Sequence, residues 1–184
     1  KQLYMHSSKR ETIDITDVPK HLTDALIIME DREFYSHNGI NIKATIRALL
    51  VDLLTLSTKQ GASTITQQLA RNMYNDPDNE IYIGAGKNIT RKLKELLTAI
   101  KIERTYTKQK IIELYLNSVY FGHGNYGIQS ASKYYFGKDV EDLSLNECSI
   151  LIGLLPAPAR FSPRTHPERS IKRRELVINK MYEH

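Results

Sequence analysis

"IIMEDREFYSHNGI", Ile27 to Ile40, joins an apolar helical run to Glu-Asp-Arg-Glu and then to an aromatic, a histidine and a glycine. The spacing sets Glu30 in line with Leu22 and Leu26, at the boundary of the expected core. A carboxylate half withdrawn from water has a raised pKa, which suits a general acid or base. Glu30, Phe34 and His37 fall at i, i+4 and i+7, so a continuous helix presents a carboxylate, a ring and an imidazole on one face. A helix end with a solvated Glu-Asp pair and a capping histidine fits the same residues.

Helical periodicity surrounds this stretch on both sides. The pattern predicts a helix over 16–37 with an Asp17 cap, Pro19 in the first turn and an apolar stripe of Val18, Leu22, Ala25, Leu26 and Met29. "NIKATIRALLVDLLT" reads as a second helix capped by Asn41, and "STITQQLARNMY" as a third that buries Ile65, Leu69 and Met73. The polar, glycine-containing segment 75–88 is the expected mobile loop. Helices follow at "TRKLKELLTAIKIERTY", "TKQKIIELYLNSVY", "GIQSASKYYFG", "SLNECSILIGLL" and "PERSIKRRELVINKMYEH". A capping box from Ser144 to Glu147 opens the fourth of these. Only "ETIDITDV" alternates like a strand, within an extended segment over 1–15 that could pair with the first few residues. The expected architecture is a single all-α domain over 1–184.

Composition sets the outer limits. The 184 residues, 41% hydrophobic and 26% charged, are enough to bury a real core. A net charge of +5 suits an anionic partner, with nucleic acid, acidic lipid and phosphorylated molecules all fitting charge alone. Cys148 is the only cysteine, so an intrachain disulfide and a cysteine metal cluster are both excluded. The most apolar run, Ile40 to Leu56, is interrupted by Lys43, Arg47 and Asp52 and falls short of the roughly 20 residues of a membrane span. The chain opens at Lys1 rather than methionine, and a piece of a longer protein is expected.

Three further constellations carry chemistry. In "GASTITQQLARN", Thr64, Gln68 and Arg71 stand at i, i+4 and i+7, opposite the apolar stripe. A hydroxyl, an amide and a guanidinium in a row suit a ligand bearing phosphate or sugar. An exposed helix face is the alternative, but such faces are usually built from Lys and Glu, which "STITQQ" lacks. In "TRKLKELLTAIKIE", Arg91 and Glu95 are i, i+4 and either pair on the surface or form, with Lys92, a basic cluster beside a carboxylate. "YFGHGNYGIQSASKYYFGK" sets four glycines among aromatics, either a turn where backbone meets a ligand or a tight helix connection.

Five blocks in order resemble the peptidoglycan glycosyltransferase domain of bifunctional penicillin-binding proteins and monofunctional murein polymerases. They are "EDREFYSHNG", "GASTITQQLARN", "RKLKELLTAIKIE" with "IIELYLNSVYFG", "YGIQSASKYYFGK" and "LSLNECSILIGLLPAPARFSP", spread over residues 16–184. The resemblance implies an all-α, lysozyme-like fold with a larger head lobe and a small mobile jaw lobe. It implies that lipid II is polymerised into glycan strands, with inversion at the anomeric carbon and release of undecaprenyl pyrophosphate. Glu30 is then the catalytic base, and Glu95 the second catalytic carboxylate beside the pyrophosphate, where magnesium or manganese is expected and no organic cofactor. Asp31, Phe34 and His37 shape the first block, while Ser63, Thr64, Gln68, Arg71, Arg91 and Lys92 line the donor and leaving-group region.

The same resemblance implies moenomycin-type inhibitors as ligands and the extracytoplasmic face of a bacterial membrane as location, with an N-terminal anchor absent from this chain. "IKATIRALLVDLLTL" then reads either as a helix grazing the bilayer or as a plain core helix. Three departures stand out: Arg71 where the family commonly has lysine, "GAS" for "GGS", and "ARFSP" for a tyrosine-asparagine-proline ending. A lysozyme-like glycan-cleaving enzyme shares the fold and a catalytic glutamate, but leaves the basic cluster unexplained. A helical nucleic-acid-binding module explains the charge but not "STITQQ" or Glu30, so no nucleic acid is expected as partner.

Overall fold

The structure, a computed structural model, describes residues 11–47, 63–75 and 89–184. Its helices are α1 (Lys20–Glu30), α2 (42–47), α3 (Ile65–Asn75), α4 (Ile89–Thr105), α5 (Lys108–Ser118), α6 (Ile128–Phe136), α7 (Leu145–Leu154), α8 (Pro158–Phe161) and α9 (Pro167–Tyr182). A two-stranded antiparallel hairpin, β1 (Tyr120–Gly122) and β2 (Asn125–Tyr126), links α5 to α6. The segment read as a glycine-rich turn is therefore a hairpin. Gly122, His123 and Gly124 all turn through positive φ there, which glycine adopts without strain.

The core is one cluster built from α1, α3, α5, α6 and α7, with Ile102 of α4 and Val177 of α9 closing it. α7 packs against α1 and α9 and is the most apolar of the described helices, and the expected capping box forms at its start. Ser144 Oγ accepts from the Glu147 backbone, and Glu147 Oε2 accepts from the Ser144 backbone at 2.9 Å. Lys138 beside Glu147 holds its carboxyl down at about 2. Cys148 is buried in α7 and its thiol is pushed up to about 12 by that burial, an inert structural thiol as expected.

Two expectations from periodicity fail for identifiable reasons. The alternation of "ETIDITDV" is not a strand: residues 11–14 form no regular element, and Ile15–Asp17 is one 3-10 turn capped by Asp14. The side-chain amide of Asn117 replaces the missing strand partner, accepting from Ile13 N and donating to Ile13 O, both at 2.9 Å. The helix expected over 16–37 starts later and ends at Glu30, with Pro19 rather than Asp17 at its N-cap. Asp31 leaves helical geometry, Phe34–Ser36 form a separate 3-10 turn and His37 is extended. Glu30, Phe34 and His37 therefore do not share a helical face. Bonds to distant residues, described below, outweigh the local periodicity there.

The first turn of the second predicted helix is present, with Asn41 Oδ1 accepting from Ala44 N at 2.9 Å. Its Ile42 is 67% exposed, so this face does not join the core. The remainder of that helix, the bulk of segment 75–88 and residues 1–10 lie outside the described residues. Among the described residues no helix is long and apolar enough to cross a membrane.

Candidate active site

Glu30 is the last residue of α1, and α3 passes beside it. Gln68 Nε2 of α3 donates to Glu30 Oε2 at 2.9 Å, and Tyr115 of α5 donates its hydroxyl to Gln68 Oε1 at 3.0 Å. Burial pushes the Glu30 carboxyl above the ordinary carboxylate range; the Gln68 bond and the Arg173 guanidinium oppose that rise, and Asp31 adds to it. A carboxylate with one neutral hydrogen bond and little water accepts a proton more readily than a solvated one. The desolvated Glu30 expected from sequence is present, held by a helix distant in the chain.

The second carboxylate has a different setting. Glu95 of α4 is 2% exposed at its side chain and faces three cations. Arg71 Nε lies 3.4 Å and Arg91 Nε 3.3 Å from Oε1, while Lys92 Nζ lies 3.4 Å from Oε2. Ser63 Oγ joins the cluster, accepting from Arg71 Nη2 and from Lys92 Nζ, each at 3.2 Å. One carboxylate cannot neutralise three cations, so positive charge remains. That charge opens to solvent through Arg71 and Lys92, whose side chains are 36% and 45% exposed. Burial also pulls the Lys92 ammonium below its ordinary value, despite Glu95. The excess charge of this arrangement is suited to a phosphate-bearing anion.

α3 joins the two centres. Gln68 serves Glu30 and Arg71 serves Glu95, and three residues along a helix is about one turn, roughly 4.5 Å of rise. Arg71 from α3 and Arg91 and Lys92 from α4 thus come together at Glu95.

The remaining first-block residues build the frame. Asp31 and His37 form a buried pair at 2.9 Å, and Asp31 Oδ2 also accepts from Ile65 N at 3.1 Å. Asp31 therefore caps the start of α3 from a distance, satisfying one of the free amides there. Thr64 is buried and donates to Gly39 O at 2.7 Å. Gly39 has φ +89°, and a Cβ there would sit 2.9 Å from Ala99 O of α4, so glycine alone lets the block approach that helix. Phe34 is fully buried beneath Lys108, whose Nζ stands 4.4 Å above its ring and donates to His37 O and Glu103. Thr64 and Phe34 thus occupy positions that shape the site rather than line it.

Sequence reasoning passed over several members of this network. Gln67 is buried and accepts from Lys92 at 3.4 Å. Tyr115 lies at core spacing in α5, where nothing in the pattern distinguishes a bonded hydroxyl from a packed ring. Arg173, in the basic run of the last helix, packs against Gly153 of α7 and over the Phe161 ring at 5.5 Å. The doublet of glutamines was the only signal available for Gln67.

The residues around Glu95 do not fit a divalent cation as they stand, because both carboxylate oxygens already face positive groups. Among the described residues no group of three or more His, Cys, Asp or Glu side chains could hold a metal ion.

Residues 1–182 match the family model described as Transglycosylase. This chain belongs to the transglycosylase family. It is 42% identical over 177 residues to penicillin-binding protein 1F of Bacillus subtilis, covering 96% of this chain and 24% of that protein. Against penicillin-binding protein 1A of Aquifex aeolicus it is 45% identical over 175 residues, covering 95% of this chain and 23% of that protein. The chain thus spans about a quarter of the length of these relatives. The crystal structure of penicillin-binding protein 1A from Haemophilus influenzae superposes with a TM-score of 0.51 at 24% identity over 94% of this chain and 15% of that one, which shows a shared fold. The transglycosylase domain has the all-α, lysozyme-like fold expected for it and is a peptidoglycan glycosyltransferase domain. A glycan-cleaving activity is not favoured.

Proposed function

We propose that this transglycosylase domain polymerises lipid II, a disaccharide-pentapeptide on undecaprenyl pyrophosphate, at the extracytoplasmic face of the bacterial membrane. Glu30 takes the proton from the 4-hydroxyl of the acceptor sugar. The freed oxygen attacks the anomeric carbon of the growing chain, which inverts as the carbon–oxygen bond to the diphosphate breaks. Arg71, Arg91 and Lys92 receive the negative charge that develops on the leaving diphosphate, and Glu95 keeps the three cations together before the substrate arrives. Magnesium or manganese enters this proposal only as a companion of the diphosphate, since the Glu95 oxygens face cations.

The observation that carries the reading is α3, which serves a withdrawn carboxylate with Gln68 and a cation cluster with Arg71 one turn away. A glycan-cleaving enzyme needs the first and has no use for the second. The net charge of +5 suits an anionic lipid substrate at an anionic surface. Moenomycin, a phosphoglycolipid, is expected to seat its phosphate on the cations. Incubation with lipid II and divalent ion, followed by gel separation, should yield glycan polymer from the precursor. Fragments from finished glycan, with no polymer from lipid II, would overturn the proposal in favour of cleavage.

A further inference from the structure

We propose that Tyr115 is a positioning residue for the transfer step, its hydroxyl anchoring the far end of the Gln68 amide that holds Glu30. The inference rests on the reading of Glu30 as the base. Tyr115 is fully buried, and a buried hydroxyl without a partner is costly. Its partner is Gln68 Oε1 at 3.0 Å, while the other end of the same amide donates to Glu30 Oε2 at 2.9 Å. The three side chains come from α5, α3 and α1 and form one chain of hydrogen bonds that ends on the Glu30 carboxylate.

Only one direction of that chain suits an ionised Glu30. With Tyr115 donating, Gln68 must turn its oxygen toward α5 and its N–H toward the carboxylate. The flipped amide would set its oxygen against the carboxylate, lone pair to lone pair. The ionised carboxylate selects the donating orientation, and the phenol adds a second bond at Gln68 Oε1 that holds the amide in place. Burial pushes the Tyr115 hydroxyl well above its ordinary value, so it remains a donor throughout the working pH range. Cooperativity along such a chain strengthens the terminal bond in surroundings poor in water. A plain core role would need the ring and leave the hydroxyl idle.

The groups bearing on Glu30 are Gln68 from α3, Arg173 from α9 and the adjacent Asp31, with Tyr115 from α5 behind the amide. Of these, Tyr115→Phe removes only the bond that anchors Gln68 Oε1. Gln68 donation lowers the Glu30 pKa, so losing its order raises that pKa and moves the acidic limb of the pH–rate profile to higher pH.

The test is kinetic, on lipid II, with Tyr115→Phe, Gln68→Ala, the double variant and Glu30→Gln. Tyr115→Phe is expected to lower kcat by about 5–30-fold, the scale of one hydrogen bond coupled to a charge. KM should stay within about two-fold, as for an interaction used in the transition state rather than in binding. In the Gln68→Ala background the second substitution should add little, because the amide it acts through is gone. Wild-type kcat and an unmoved acidic limb in Tyr115→Phe would overturn the proposal, as would additive losses in the double variant. If Glu30→Gln is inactive while this happens, the base assignment stands and only Tyr115 is reassigned to packing. A Glu30→Gln protein that keeps its turnover overturns both.

Discussion

Glu30 and Glu95 both surrender most of their contact with water, and the same helix serves them, yet their surroundings differ in kind. Glu30 receives one neutral N–H from Gln68 and lies beside Asp31, so burial dominates and proton uptake becomes easier. Glu95 has Arg71, Arg91 and Lys92 within 3.4 Å, a carboxylate ringed by cations. A carboxylate is made basic by withdrawing its compensation and made structural by supplying it in excess. On the proposed function, two residues of one type divide the chemistry between proton transfer and charge stabilisation.

The largest effect should come from removing the carboxylate that is poorly compensated. Glu30→Gln keeps size and the Gln68 contact but removes the proposed base. Turnover of lipid II should fall on the order of 10²–10⁴-fold, the scale for general base catalysis. Retention of more than about a tenth of wild-type turnover would end the division of roles argued above. In the wild-type enzyme, kcat should rise with pH through a group titrating above the ordinary 4.5, because the active form is ionised. A profile already flat from pH 4.5 upward would contradict the withdrawn setting of Glu30.

Arg91→Ala probes the other centre. Moenomycin affinity should weaken by about 1.5–3 kcal/mol, the scale of a hydrogen bond to a charged group, with turnover reduced at least as much. Unchanged binding in a calorimetric titration would detach Arg91 from the anion site. Glu95→Gln should lower thermal stability at neutral pH by about 1–3 kcal/mol, since it leaves buried positive charge uncompensated. The lower part of that range is expected because Arg71 and Lys92 can turn to water. The response to magnesium or manganese should persist in this variant. Loss of that response would make Glu95 a metal ligand and break the contrast.

The smallest effect runs in the opposite direction at the first centre. The folded-state pKa of Glu30 is raised, so at pH 7 its ionised form is less favoured in the fold than in the unfolded chain. Glu30→Gln should therefore raise Tm at pH 7. The gain should shrink as pH falls and vanish below the ordinary value of 4.5, where Glu30 is protonated in both states. Melting curves at pH 7 and pH 4 test this directly. A loss of stability at pH 7 would mean that the carboxylate has compensation beyond Gln68 and Arg173.

Much of this was legible in the residues. Apolar periodicity located α3, α5, α7 and α9, and the Ser144–Glu147 capping box marked the start of α7. The order of five blocks pointed to the family, and Arg91 and Glu95 lie four apart on one helix, so local geometry alone lets them pair. These features depend on neighbours within a turn or two, which is the range over which a linear pattern carries physical information.

The end of α1 lay beyond that range. Periodicity carries the helix on to His37, but Asp31 bonds Ile65, 34 residues away, and His37 folds back onto Asp31. The hydroxyl of Tyr115, the amide of Gln68 and the carboxylate of Glu30 meet across separations of 47 and 38 residues. Ile13 found its partner in an asparagine side chain 104 residues away instead of a strand. Residue types and short spacings named the carboxylates and cations. Packing of α1, α3, α4 and α5 assigned their partners, because only chain closure over tens of residues excludes water from one carboxylate and brings Arg71 to the other, where Arg91 and Lys92 already stand on the same helix.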